Sequence, residues 1–134
     1  MILASLSGVV PFIIYFVGAL AAMLVFMWVY TRITPHDENA LIRDNNQAAA
    51  ISYVGAVLGM ALAVSAAVAN SVGLVDFAVW VVVAGLAQIS AFFGLRLLYP
   101  KLSERIEAGE CAAAIKLAGI SVMVGLLNAA SMTY

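Results

Sequence analysis

Side chains able to do chemistry are few in this 134-residue chain: one histidine, one cysteine, six Lys/Arg and seven Asp/Glu. The densest group is His36-Asp37-Glu38, an imidazole and two carboxylates of the kind that ligate metals. Three consecutive side chains on a helix fan out around its axis, and no second histidine exists to complete a shell. The run is expected to be a polar interfacial turn without a metal. Cys111 stands alone, so it has no partner for an internal disulfide and no neighbouring histidine for a dyad. It is expected to act as a small apolar residue at a helix start. The glycines lie in apolar stretches rather than in a phosphate-cradling loop. Without a nucleophile–base set, the sequence predicts neither an enzyme nor a cofactor.

Two arginines are better placed. Arg32 and Arg96 each follow a long apolar run, where a cation suits the carbonyl end of a helix and lipid phosphates. With His36 and Lys101 they are candidate contacts for a headgroup or a partner; ordinary boundary anchoring is the alternative. Within the apolar runs the polar groups are amides and hydroxyls, chiefly Gln88 and Asn128. An amide facing lipid leaves its donors unpaired, so both are candidate intramembrane contacts that face other helices. They either join helices or line a polar path. No ionisable residue falls in the middle of an apolar run, which argues against a proton relay, a voltage sensor or a charged-substrate carrier.

The elements that must position these residues follow from composition. The chain is 66% hydrophobic and 10% charged, with a mean hydropathy of +1.11. A soluble domain is about 45–50% apolar and about 25% charged, and it could not clothe its surface with so few polar groups. The reading is a single integral membrane domain over 1–134. The net charge of −1 offers no basic surface for nucleic acid. Charges cluster between Arg32 and Asp44 and between Arg96 and Lys116, with Asp76 isolated. Uncharged runs between them predict spans at about 9–30, 48–69, 77–95 and 117–134, each near the length that a ~30 Å hydrocarbon core requires. The last span could begin nearer Cys111 if Lys116 snorkels to the interface. The N-terminal run lacks a basic leader region and is expected to be a permanent first span. All six Lys/Arg fall in the two clusters, which predicts cytoplasmic loops and outward-facing termini.

The halves resemble each other. Each has a span, an arginine, a proline and a polar stretch, and Gln47-Ala48-Ala49-Ala50-Ile51 matches Cys111-Ala112-Ala113-Ala114-Ile115 at an offset of 64 (111 − 47). The fold class is therefore an all-α membrane protein, four transmembrane helices in two tandem two-helix repeats (about 9–70 and 77–134) with short cytoplasmic helices. Thr34 is read as the N-cap of the first short helix, with Pro35 at its first position, Asp37 at its third and Asn45 as its stop. Pro100 opens the second and Gly109 ends it. Leu102, Ile106 and Leu41 are read as pressing on the headgroup region, the alternative being solvated turns. Gly55, Gly59 and Ala63, spaced four apart, allow close helix packing, within the chain or between copies. Ser121 and Gly125 form a shorter version of the same pattern.

Several stretches together resemble a known family: Tyr30-Thr31-Arg32-Ile33-Thr34-Pro35-His36, Asp44-Asn45-Asn46 with Ala48-Ala49, Arg96-Leu97 with Pro100, Leu102, Ser103 and Glu104, and the ending Asn128-Ala129-Ala130-Ser131-Met132-Thr133-Tyr134. They look like the YjfL-type bacterial inner-membrane proteins, a domain of unknown function with four predicted spans. The resemblance covers nearly the whole chain and implies a bacterial inner-membrane location. It carries no activity, substrate or catalytic residue. The occurrence of such proteins near genes for membrane-coating stress proteins implies an envelope-associated role. The expected function is a non-enzymatic scaffold or partner protein in envelope maintenance, in contact with lipid and with a cytosolic or peripheral partner, and a possible homo-oligomer. A small oligomeric channel or transporter is the alternative.

Overall fold

The computed structural model describes residues 1–132, so the last two positions of the expected fourth span and of the C-terminal motif lie outside the described residues. Every described regular element is a helix: α1 (Ile2–Ser7), α2 (Val9–Ile33), α3 (Glu38–Arg43), α4 (Gln47–Asn70), α5 (Leu74–Leu98), α6 (Leu102–Glu107) and α7 (Cys111–Ser131). Helices meet the demand of a bilayer because each pairs its backbone groups within itself. The four long ones are Ile2–Ile33, with α1 and α2 continuous, Gln47–Asn70, Leu74–Leu98 and Cys111–Ser131. The shortest of them, 21 residues, extends about 31 Å at 1.5 Å per residue. All four begin before the predicted spans, at Ile2, Gln47, Leu74 and Cys111. The largest shifts are at Ile2 and at Cys111, where Lys116 reaches the Tyr99 hydroxyl at the charged end of the molecule.

The chain meets itself most closely where α4 crosses α7. Gly55 lies against Ala118, and Gly59 lies against Ser121 and Gly125, so that a Cβ at any of the three glycines would overlap the facing helix. Ala63 and Ala67 continue the buried stripe of α4. Between helices in lipid the gain comes from van der Waals contact, and contact needs backbones that approach closely. On α5, Phe77, Ala84, Gln88, Phe92 and Leu95 are buried. The first long helix is the outermost. Phe26 and Tyr30 are its buried residues, while Phe12, Phe16, Leu20 and Leu24 are exposed where hydrocarbon would cover them.

The charged linkers are folded differently from the expectation. Helix α3 starts at Glu38 with Asp37 as its N-cap, whose Oδ1 accepts from Ala40 N at 3.2 Å. Thr34 instead terminates α2, because its hydroxyl is drawn to Glu38 across the turn. Asn45 does stop α3, at a left-handed φ of 63°. Gly109 follows α6 at φ 82°, a conformation that glycine adopts without strain. Leu102 and Ile106 turn inward and are buried, and Leu41 packs on the same core. These residues therefore hold the short helices to the bundle rather than pressing on headgroups.

Candidate functional site

The centre of the charged end is built from the α2–α3 turn. Leaving α2, the chain extends through Thr34 and turns His36 beneath α6. His36 Nδ1 lies 3.0 Å from Ser103 Oγ, and Nε2 lies 3.2 Å from Glu38 Oε1. The Thr34 hydroxyl donates to the same carboxylate oxygen at 2.6 Å. With Nε2 donating to Glu38, Nδ1 accepts from the Ser103 hydroxyl, so one tautomer satisfies both contacts. Phe92 from α5 and Tyr30 from α2 wall the cluster, their ring centroids 6.1 Å apart, with the His36 ring 6.0 Å from Phe92. Relative exposure is 0% for Glu38, 1% for His36 and 7% for Ser103. Burying a carboxyl group is costly unless partners surround it. Here Thr34 and His36 share Oε1, while Oε2 has no hydrogen-bond partner.

The order Ser103–His36–Glu38 has the connectivity of a nucleophile, a base and an orienting acid. All three residues are buried in this conformation. What the cluster does mechanically is join the α2–α3 turn to α6. A second tie lies beside it. The Asn46 side chain caps α4 by accepting from Ala49 N at 2.9 Å. Its amide nitrogen lies 3.2 and 3.1 Å from the Ile106 and Glu107 carbonyls of α6.

Other sequence-derived candidates are dispersed. Gln88 is buried, and its Nε2 donates to the Ser121 carbonyl at 2.9 Å beside Gly59; its Oε1 is unpartnered. Asn128 is half-buried with Nδ2 unpartnered, and no hydrogen bond joins the two amides. Arg32 is exposed, with its guanidinium 4.8 Å from the Trp28 ring centre. Arg96 is half-buried in a cleft of about 380 Å³ with Phe93, Leu97 and Pro100. Lys101 is exposed. His36, grouped with these cations as a surface contact, is instead interior, because Ser103 and Glu38 offer its two nitrogens partners that water would otherwise supply.

Residues 3–132 match the family described as Domain of Unknown Function (DUF350). The chain belongs to the DUF350 family. It is 36% identical over 129 residues to the UPF0719 inner membrane protein YjfL of Escherichia coli strain K12, an alignment covering 96% of this chain and 98% of that one. The protein of the same name from Escherichia coli O157:H7 gives the same figures. No solved structure matches. With four apolar helices of spanning length, this DUF350 chain is a multi-pass inner-membrane protein.

Within this DUF350 chain, sequence reasoning missed the contacts that join Ser103 to His36 and Glu38, and it missed Tyr99 and Arg105 beside the snorkelling Lys116. Lys116 donates to the Tyr99 hydroxyl and stands 4.3 Å from the centre of that ring. That hydrogen bond, with the charges of Lys116 and Arg105, lowers the Tyr99 phenol below its usual range. The signal available in sequence was Lys116 at the edge of the uncharged run that starts at Leu117, where its ammonium must find a polar partner.

Proposed function

We propose that the protein is a non-enzymatic scaffold of the bacterial inner membrane. In this reading α3 and α6 form one rigid face on the cytoplasmic side that docks a peripheral or cytosolic partner in envelope maintenance. The observation that carries it is the pair of ties across the linkers, His36–Ser103 and Asn46 to the α6 carbonyls. Two loops that merely joined spans would have no need of a buried polar contact such as His36–Ser103 between them. Outside these ties, Asp44, Lys101, Glu104 and Glu107 are exposed, so the face carries both charges. The collection of all Lys/Arg at this end supports a cytoplasmic orientation.

The tandem repeat belongs to the same proposal. Contacts across the α4/α7 crossing pair residues separated by 63 (118 − 55), 62 (121 − 59) and 66 (125 − 59). These bracket the 64-residue offset, as expected if equivalent helices of two repeats meet at an axis along the membrane normal. The deciding experiment crosslinks and captures partners of the full-length protein in native membranes. Reversing the charges of Asp44, Lys101, Glu104 and Glu107 should abolish specific partners while leaving membrane insertion intact. Retention of every partner by that variant would end the scaffold reading.

A second reading, a small oligomeric channel or transporter for an uncharged or small solute, draws support from two unpartnered buried atoms, Gln88 Oε1 and Asn128 Nδ2. Solute flux in liposomes that is unchanged by Gln88→Leu with Asn128→Leu would remove that path.

A further inference from the structure

At the end of α5 the structure holds a second polar site, separate from the His36 cluster and open to the outside. We propose that the cleft between Tyr99, Arg105 and Lys116 binds the phosphate of an anionic phospholipid headgroup. The cleft measures about 200 Å³ and is lined by Leu95, Tyr99, Leu102, Arg105, Ala112, Ala113 and Lys116. Its floor is apolar and its rim carries two cations and a phenol. Depth in the membrane follows from the elements: Tyr99 ends α5, and Lys116 sits in the second turn of α7. The uncharged stretch from Leu117 onward begins at the next residue. Basic pockets between transmembrane helices at such a boundary are suited to lipid headgroups.

The donor inventory leaves room for a ligand. An ammonium has three N–H groups, and Lys116 gives one to Tyr99, so two remain for phosphate oxygens. The Arg105 guanidinium engages Glu110 through Nε at 3.3 Å, which leaves its terminal N–H groups for the planar, forked contact that phosphate favours. Among the described residues Glu110 is the one carboxylate in direct contact with these cations, so the cleft is net cationic. Its volume suits a headgroup and not a whole lipid, whose acyl chains would lie along the apolar surface outside. A free phosphate ion shares the recognised group, but the position at the boundary of an apolar span favours the lipid. The inference holds whichever side of the membrane the charged loops face.

The test uses the full chain purified in mild detergent, stripped of lipid, with bound molecules counted by native mass spectrometry. The probes are short-chain phosphatidylglycerol, phosphatidylcholine of the same chain length, and inorganic phosphate. Phosphatidylglycerol should bind about thirtyfold more tightly than phosphatidylcholine, at roughly fivefold per interfacial cation. Arg105→Gln and Lys116→Gln should each lose roughly that fivefold. Arg43→Gln, which removes an exposed cation from α3, should stay within about twofold, so that a loss confined to the cleft separates a site from general charge attraction. Glu110→Gln removes the competing carboxylate and should tighten binding, a gain that misfolding cannot imitate. Equal retention of the two lipids, an equal loss in Arg43→Gln, no tightening in Glu110→Gln, or inorganic phosphate binding as tightly as phosphatidylglycerol would overturn the proposal.

Discussion

Where α4 crosses α7, the chain approaches itself by having almost no side chains to separate the backbones; at the charged end, it joins α3 to α6 through side chains that are polar and buried. Gly55, Gly59 and Gly125 sit against Ala118, Ser121 and each other, and contact is made over many atoms of low individual strength. His36, Glu38, Thr34 and Ser103 make a handful of directed bonds instead. The first arrangement fails if anything is added. The second fails if anything is taken away. This contrast assigns different jobs to the two regions: the crossing sets the distance between helices, and the polar cluster sets the relative position of the linkers outside them.

The largest effect should come from adding volume to the crossing. In Gly125→Val, even the first added carbon would meet the Gly59 backbone, and a backbone cannot rotate away as a flexible side chain can. Overpacking a well-filled core typically costs about 1–3 kcal/mol, and more where the obstruction is rigid. Unfolding measured by steric trapping in bicelles should show a loss of at least about 3 kcal/mol or no folded protein at all. A loss below about 1 kcal/mol would mean that α4 and α7 are not held at this distance. Next in size is subtraction at the charged end. Glu38→Ala leaves His36 Nε2 without its acceptor, while the Thr34 hydroxyl can still donate to the Tyr30 carbonyl, a desolvation cost of about 1–3 kcal/mol. Hydrogen exchange should quicken in α3 and α6 while the α4/α7 crossing keeps its protection. If both regions loosen together, the division of labour drawn above is wrong.

The two regions were also unequally legible in the sequence. Spans could be located because lipid imposes one simple rule, a long uncharged run, and the small residues at 55, 59 and 63 announced a close contact through their spacing alone. The identity of the facing helix was not announced, although Ser121 and Gly125 showed the same spacing. The polar cluster was hidden for a different reason. A run such as Thr34-Pro35-His36-Asp37-Glu38 has the composition of a solvated turn, and the groups that enclose His36 lie far along the chain, Phe92 and Ser103, the latter 67 residues away. Local rules therefore assigned Thr34 to the start of α3, when its hydroxyl is taken by Glu38 and Asp37 does the capping. Local patterns report how a residue relates to its own helix; here the decisive bonds were between segments.

Gln88 supplies the smallest effect and the finest probe, since it places a polar bond of the second kind inside a region of the first. Its Nε2 donates to the Ser121 carbonyl, but its Oε1 is unpartnered. A side-chain hydrogen bond between transmembrane helices contributes about 0.6 kcal/mol on average, and the unpaired oxygen subtracts from that gain. Gln88→Leu keeps similar bulk against Gly59 and removes both the bond and the orphaned oxygen. The expected change in stability is therefore within about 0.6 kcal/mol of zero, by the same steric-trapping measurement. A loss beyond about 2 kcal/mol would show that this one amide, and not backbone proximity, holds α5 to the crossing. The two regions would then differ in depth in the membrane and not in the kind of force that holds them.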